Sequence, residues 1–203
     1  MIKFSYFLTE DVDGKNLHLE HLEDEIINFG IGGARGAVNF LRSLRDMMAG
    51  SSRSSVNMTV KWDGAPAIFA GTDPSDGKFF VAKKSVFNKS PLLYKSSQEI
   101  DGDARLPSSL KSKFKIALSE FSKLGIKGVL QGDLMFTNSD LETDRIDGET
   151  YTTFQPNTIV YAIPKGTVLE KRIRQAKIGV VWHTTYSGRN LESMKASFGA
   201  NIN

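Results

Sequence analysis

The sequence predicts an α+β protein in which mostly antiparallel strands form the core and helices lie between them. Three observations carry this prediction. Apolar residues recur at helical spacing before residue 50, apolar and polar residues alternate from residue 56, and a further helical pattern interrupts the strands at residues 110–124. We therefore expect a helical N-terminal appendage over residues 1–50 and an antiparallel-rich core over residues 56–203, joined by a polar linker.

The appendage is predicted to contain two helices. The glycine-rich stretch 30–33 marks a break between them, and the second helix covers residues 37–48 and ends near Gly50. A phosphate-binding loop is the other interpretation of these glycines, but the stretch lacks the Lys-Ser/Thr ending and the preceding strand of such loops. The apolar residues that carry the helical spacing are Leu22, Ile26, Ile27, Val38, Leu41, Leu44 and Met48.

The core begins with a strand whose alternation is strict. In residues 56–63 the apolar side chains share one face, which leaves Lys61 and Asp63 together on the other face. Further strands are expected at residues 67–70, 78–84, 128–136, 158–163 and 177–185, the first two joined by a turn at 73–77. The polar stretches 98–109 and 138–157 are predicted to be loops.

Composition bounds the functional classes. A chain of 203 residues with 40% hydrophobic content supports one core with a small appendage. A net charge of +3 is compatible with a polyanionic partner but does not require one. The lack of cysteine excludes disulfides, thiolate metal sites and a cysteine nucleophile. Since no run of eighteen apolar residues and no secretory signal occurs, we expect a cytoplasmic protein with no membrane span.

Residues 61–64, Lys-Trp-Asp-Gly, combine residue types suited to covalent catalysis. A lysine nucleophile reacts as the neutral amine, which a site favours by desolvation or nearby positive charge. Lys83 and Lys84 supply such charge, and Gly64 allows the chain to approach a ligand closely. By itself the tetrapeptide also fits an ordinary Asp-Gly turn.

Three later stretches give this tetrapeptide a context. Lys-x-Asp-Gly at the end of a strand is the signature of the covalent lysine nucleotidyltransferase superfamily, which comprises ATP-dependent DNA and RNA ligases and mRNA capping enzymes. Residues 130–136 (Leu-Gln-Gly-Asp-Leu-Met-Phe) resemble its third motif, residues 159–163 its strand with a base-stacking aromatic, and residues 178–182 its fourth motif. The chain thus resembles this superfamily over about residues 56–185, which implies a core like a ligase adenylation domain.

The resemblance also implies roles for individual residues. Lys61 would be the catalytic nucleophile that becomes linked to AMP, and Asp63 would orient the lysine or the ribose. ATP and Mg²⁺ or Mn²⁺ would be the cofactors, with Asp133 as a metal ligand and Tyr161 stacked on the base. AMP would then pass to a nucleic-acid 5′-phosphate, of RNA in preference to DNA. The residues implied for cofactor binding are Gly64, Lys83, Lys84, Asp133, Tyr161, Val181 and His183.

The chain departs from the superfamily at several positions. Ile178 occupies the place of the fourth-motif acid, Ala65 and Pro66 replace a common arginine, and neither a Lys-x-Lys motif nor an oligonucleotide-binding domain is visible. The chain is therefore interpreted either as part of a longer protein or as a degenerate enzyme. His183, predicted to share a strand face with Val181 and Lys177, is interpreted as a phosphate or metal contact that replaces the missing acid, or as a structural histidine.

Nearly the whole chain resembles a family of poorly characterised, ligase-like proteins of tailed phages, many of them marine. The residues that carry this resemblance are the helix-Gly-helix pattern, residues 60–69, residues 131–133 and residues 182–186. It implies a viral protein acting in the host cytoplasm. Two alternatives to an active ligase remain: a degenerate module that binds nucleotide or nucleic acid, and a structural viral component.

Overall fold

The chain divides into two units at residue 60, and each is described by itself. The computed structural model describes residues 22–50 of the first unit and residues 62–200 of the second. In these ranges no helix has both the length and the apolar character needed to cross a membrane.

The described part of the first unit is one helical element, α1 (Leu22–Met48), with a break at Gly30. The φ of Gly30 is 54° and its ψ is −128°, a left-handed conformation that glycine adopts without steric cost. Beyond the break Gly33 lies against the backbone of Glu25, so close that a β-carbon at position 33 would lie 1.8 Å from the Glu25 carbonyl oxygen. The predicted pair of helices separated by glycine is confirmed.

The second unit contains nine strands and three α-helices in its described residues. In chain order these are β1 (Ala67–Thr72), β2 (Phe79–Ala82), β3 (Leu93–Tyr94), α2 (Ser97–Gly102), α3 (Ser108–Phe121), β4 (Val129–Thr137), β5 (Glu142–Ile146), β6 (Glu149–Phe154), β7 (Tyr161–Pro164), α4 (Val168–Gln175), β8 (Ile178–Ser187) and β9 (Lys195–Phe198).

All strand pairs are antiparallel and form two sheets. The larger sheet has the order β3-β2-β1-β4-β8-β9, and the smaller has the order β5-β6-β7. The smaller sheet and α4 occupy the connection between β4 and β8, whereas α2 and α3 occupy the connection between β3 and β4. The mixed α+β class with antiparallel sheets and an N-terminal helix is confirmed.

Three apolar clusters surround the larger sheet. The first contains Phe114, Ala117 and Phe121 of α3 packed on one face of the sheet. The second includes Phe69, Val129 and Tyr186. The third joins the end of β4 to the smaller sheet and contains Met135, Phe136, Phe154 and Ile163. Every second residue of β4 from Val129 to Met135 shares one face of the strand. Since Val129 belongs to the second cluster and Met135 to the third, Gln131 and Asp133 lie between these clusters, on the face opposite α3.

Several elements differ from the sequence prediction. The stretch 98–109 is a loop only over residues 103–107, between the end of α2 and the start of α3. A capping box, in which Ser96 and Glu99 bond each other's backbone N–H, begins α2. The stretch 138–157 contains β5 and β6 instead of being a loop. The predicted strand 56–63 lies outside the described residues except for Trp62 and Asp63, which are not part of a strand.

Candidate functional site

The segment that follows Lys61 lies directly against β4. The Ala65 N–H donates to the Leu134 carbonyl at 3.0 Å, and the Leu134 N–H donates to the Pro66 carbonyl at 3.1 Å. Just before these bonds Gly64 approaches β4 so closely that a β-carbon would lie 2.7 Å from the Leu134 oxygen and 3.0 Å from the Asp133 β-carbon. The Asp-Gly dipeptide therefore lies beside Asp133, seventy residues later in the chain.

Asp63 is held by two residues of the connection between β4 and β8. The Tyr161 hydroxyl accepts from the Asp63 N–H at 2.9 Å and donates to the Asp63 carbonyl at 2.8 Å. The Asn157 amide donates to the Asp63 carboxylate at 2.7 Å. The backbone and the carboxylate of Asp63 are thus fixed by different side chains, although the residue itself is exposed.

Aromatic rings form a stack next to Asp63. The ring of Tyr161 lies between those of Trp62 and Phe154, with centroid distances of 5.2 and 5.3 Å and interplanar angles of 13° and 17°. Phe136 continues the row beyond Phe154 at 4.8 Å. Trp62 ends the row and is 42% exposed. A base that joined this stack without displacing a protein ring would lie on Trp62.

Asp133 is buried in the middle of β4, at 6% exposure. Its strand neighbours across the sheet are Ala67 of β1 and Val181 of β8. Two positions earlier on the same face, Gln131 accepts a hydrogen bond from the Tyr186 hydroxyl at 2.7 Å. Burial raises the pKa of Tyr186 to about 12, so its hydroxyl stays protonated and remains a donor at neutral pH.

His183 occupies an irregularity in the pairing of β4 with β8. Gln131 pairs with Thr184 and Gly132 pairs with Trp182, so His183 is an extra residue on β8. Its Nε2 lies 3.6 Å from the Asp133 carboxylate, too far for a hydrogen bond. Its Nδ1 lies 2.8 Å from the Thr184 hydroxyl. Within the described chain the buried Nε2 has no hydrogen-bond partner.

The lack of a hydrogen-bond partner for the buried His183 Nε2 indicates whether the site suits a metal ion. A buried nitrogen without a hydrogen bond is destabilising by about 1–3 kcal/mol, and a cation shared with the neighbouring carboxylate would remove that penalty. When Nδ1–H donates to Thr184, the lone pair of Nε2 is available for a metal. The residues present therefore fit a divalent cation on Asp133 and His183. The described residues contain no group of three His, Asp or Glu side chains suited to a metal, so water or substrate would supply the other ligands.

The other predicted site residues are placed as follows. Val181 lies opposite Asp133 and packs on the third cluster. Lys83 and Lys84 follow the last residue of β2, near the end of β1 where Ala67 pairs with Asp133. Neither ammonium group pairs with a described residue. Lys61 lies outside the described residues.

Lys177 and Ile178 do not lie with Asp133. Lys177 bonds the Glu120 carboxylate of α3 at 2.9 Å, on the opposite face of the sheet. The prediction that Lys177 shares a strand face with His183 is wrong, because β8 begins at Ile178 and Lys177 lies before it. Ile178 packs against the first apolar cluster.

Asn157 and Thr184 are contacts that the sequence analysis missed. Asn157 lies in a stretch that was predicted to be a loop, and nothing in its local pattern indicates a partner ninety-four residues earlier. Thr184 reads as an ordinary strand residue, and only the irregular pairing gives it a role beside His183.

Comparison with known proteins gives one finding. No curated protein and no solved structure matches the chain. The model of the family described as "Family of unknown function (DUF6267)" matches residues 16–203, so the chain belongs to that family.

Proposed function

We propose that this protein is a lysine nucleotidyltransferase with a ligase-like core, which forms a covalent lysyl-AMP intermediate. The observation that carries the proposal is the position of the Asp63-Gly64 dipeptide against Asp133. Two separate stretches of sequence that each resemble a superfamily motif thus meet at one place. The antiparallel sheets and the buried carboxylate are further support.

The proposed reaction is a displacement at the α-phosphorus of ATP. The Lys61 amine attacks phosphorus, a P–N bond forms, and the bond from phosphorus to the bridging oxygen of pyrophosphate breaks. Pyrophosphate leaves with the electron pair, and the nitrogen proton passes to solvent. Asp63, fixed by Tyr161 and Asn157, is adjacent in sequence to Trp62 and positions the lysine or the ribose. Lys83 and Lys84 contribute positive charge near the phosphates.

Asp133 and His183 would hold the divalent cation. Such an ion supplies charge neutralisation at the phosphates. An imidazole ligand favours Mn²⁺ over Mg²⁺, because Mg²⁺ prefers oxygen ligands. His183 would thereby replace the fourth-motif acid, whose position in this chain is occupied by Ile178.

The base would stack on the exposed ring of Trp62 and extend the row of aromatic rings. Tyr161 then supports the base indirectly, through its contact with Trp62 and its hydrogen bonds to Asp63. Direct stacking of the base on Tyr161, which the resemblance implies, does not fit, because Trp62 and Phe154 cover both faces of that ring. Stacking of a base on an aromatic ring contributes about 1–3 kcal/mol.

The acceptor that we propose is a nucleic-acid 5′-phosphate, of RNA in preference to DNA. Attack by the 5′-phosphate oxygen on the lysyl-AMP phosphorus breaks the P–N bond and regenerates the lysine. The setting that we propose is the cytoplasm of a phage-infected host. Both proposals rest on the resemblances described in the sequence.

Intact-protein mass spectrometry tests the covalent step. The protein is incubated with ATP or GTP and with Mg²⁺ or Mn²⁺, alongside Lys61→Ala. As a matched control, Lys78→Ala removes an exposed lysine at the β1–β2 turn. We expect an AMP adduct on the parent and on Lys78→Ala, reversed by pyrophosphate, and none on Lys61→Ala. An unmodified parent under every condition would refute the covalent mechanism.

A second candidate function is a binding module without catalysis. The observation that favours it is Ile178, which packs in an apolar cluster where the superfamily has an acid. Calorimetric titration of the same protein with ATP and with single-stranded RNA separates the two candidates. Binding without an adduct would support the module, and an adduct would exclude it.

A further inference from the structure

The second segment of α1 exposes a stripe of apolar side chains. Ile31, Val38, Leu41 and Met48 are 77%, 45%, 50% and 71% exposed. With Ala34 and Arg45 they are spaced alternately three and four residues apart, as are the core positions of a coiled coil.

A different face of this segment is the buried one. Gly33 and Ala37 are its buried residues, and Gly33 packs against Glu25. The exposed stripe is therefore additional to the contacts that hold the helix in its own unit. Several apolar side chains exposed along one helix face are typical of a protein interface.

Positive charge borders the stripe. Arg35 and Arg42 line the same open groove as Ile31, Ala34 and Val38, and neither guanidinium pairs with another described residue. Between residues 31 and 45 the sequence contains three arginines and no acid. The one acid further along, Asp46, bonds Arg45 at 2.6 Å.

We propose that this stripe, residues 31–48, binds an acidic amphipathic helix of another protein. Apolar side chains of that helix would contact Ile31, Val38 and Leu41, and its flanking carboxylates would pair with Arg35 and Arg42. A second copy of this chain fits less well. In either orientation the three arginines of one copy would lie close to those of the other, and the one acid of the stripe, Asp46, already bonds Arg45. The proposal is independent of the function proposed for the second unit.

The test uses the whole chain and two fluorescent peptides. Both peptides are about three heptads long with Ile and Leu at the core positions, and they carry either Glu or Lys at the flanking positions. We expect saturable binding of the Glu peptide by fluorescence anisotropy, and binding of the Lys peptide weaker by about tenfold or more. Absence of binding, or equal binding of both peptides, overturns the proposal.

Two variants and a matched control locate the interface. Val38→Asp is expected to weaken binding of the Glu peptide by about tenfold or more, whereas Ser43→Asp makes the same charge change off the stripe and leaves it unchanged. Arg35→Glu with Arg42→Glu is expected to reverse the preference between the peptides. Circular dichroism of every variant confirms that the helix is retained. Peptide binding that survives Val38→Asp contradicts the assignment.

Two further outcomes would assign the stripe to a different occupant. A concentration-dependent dimer in sedimentation velocity that Val38→Asp abolishes would assign it to a second copy of the chain. Duplex RNA binding that Arg35→Ala and Arg42→Ala together abolish, but Val38→Asp retains, would assign the arginines to nucleic acid.

Discussion

The hydroxyl of Tyr161 bonds both the N–H and the carbonyl of Asp63, at 2.9 and 2.8 Å. One side chain of the smaller sheet thereby fixes the backbone of the residue that lies next to Gly64 and Asp133. These bonds span ninety-eight residues and constrain the peptide planes on both sides of Asp63. The smaller sheet is therefore a structural part of the candidate site.

Removal of this hydroxyl should impair the site more than the fold. We expect Tyr161→Phe to lower the free energy of unfolding by about 1 kcal/mol, because the peptide groups it releases are near solvent. AMP-adduct formation should fall by about tenfold or more, because Asp63 loses its anchor. Urea unfolding and mass spectrometry measure the two effects. Tyr151→Phe deletes an exposed hydroxyl that bonds Glu149 and should change neither.

Mn²⁺ binding should depend on His183. We expect the protein to bind Mn²⁺ more tightly than Mg²⁺, and His183→Ala to weaken Mn²⁺ binding by about tenfold or more. Loss of the electron paramagnetic resonance signal of free Mn²⁺ measures binding without reference to activity. Thr184→Val keeps the imidazole and removes only its hydroxyl contact, so its effect should be smaller. Unchanged Mn²⁺ affinity in His183→Ala would exclude the histidine as a ligand.

Gly64 should tolerate no side chain. A β-carbon would lie 2.7 Å from both the Leu134 carbonyl oxygen and the Met135 sulfur, so Gly64→Ala must displace the segment from β4. We expect a loss of about 2 kcal/mol in the free energy of unfolding. Gly102→Ala is the matched control, because a β-carbon there has nothing within 4 Å. Equal stability of the two variants would show that the close approach to β4 is unimportant.

The ion pair between Lys95 and Asp73 should make the free energy of unfolding depend on pH. Burial raises the pKa of Asp73, but hydrogen bonds from Lys95 and Ser75 outweigh this, and the pKa lies below its ordinary value of 3.8. A lowered folded-state pKa gives stability that is present above the unfolded value and lost as pH falls through the folded one. The stability difference between the parent and Asp73→Asn should therefore be largest above the ordinary pKa of 3.8 and shrink as the pH falls below it. Urea unfolding across this range measures it, and a constant difference would contradict it.

Nucleotide binding should change the emission of Trp62 specifically. The chain has two tryptophans, and the other, Trp182, packs against Phe121 at 5.0 Å on the opposite face of the sheet. We expect ATP to quench the Trp182→Phe variant, in which Trp62 is the remaining emitter, because a stacked base lies on the exposed ring. Trp62→Phe should show no quenching and weaker ATP binding. Quenching that occurs in Trp62→Phe but not in Trp182→Phe would show that the base does not stack on Trp62.

The sequence predicted the fold class well where strands are buried, because burial produces a distinct pattern. In β4 and β8 the apolar runs are long and bounded by polar turns, which identified both strands. β5 was missed because all five of its residues are exposed, so no apolar periodicity marks it. β9 has only four residues, and three of them are exposed. Short or exposed strands depend on pairing with a neighbour, which local sequence does not encode.

The candidate site was predictable only in part, for a related reason. Asp63, Gly64 and Asp133 lie in motifs whose residue types stand out, and the structure brings these three residues together. The roles of Asn157 and Thr184 depend on tertiary contacts that no short pattern specifies. Alternation along β8 predicts His183 on the face of Val181, whereas the 3.6 Å approach of its Nε2 to Asp133 depends on the irregular pairing of β8 with β4, which no local pattern specifies.

The attachment of the smaller sheet has a consequence for local unfolding. Glu170 of α4 accepts hydrogen bonds from Thr152 of β6 and from Arg174, so α4 and the smaller sheet are joined by a buried carboxylate. An opening of this sheet would withdraw Tyr161 from Asp63 even while the larger sheet stays folded. By linkage, a ligand that needs Asp63 in place would slow amide hydrogen exchange in β5, β6 and β7, strands that bear no predicted catalytic residue. Exchange rates in these strands would then report occupancy of the site from a distance.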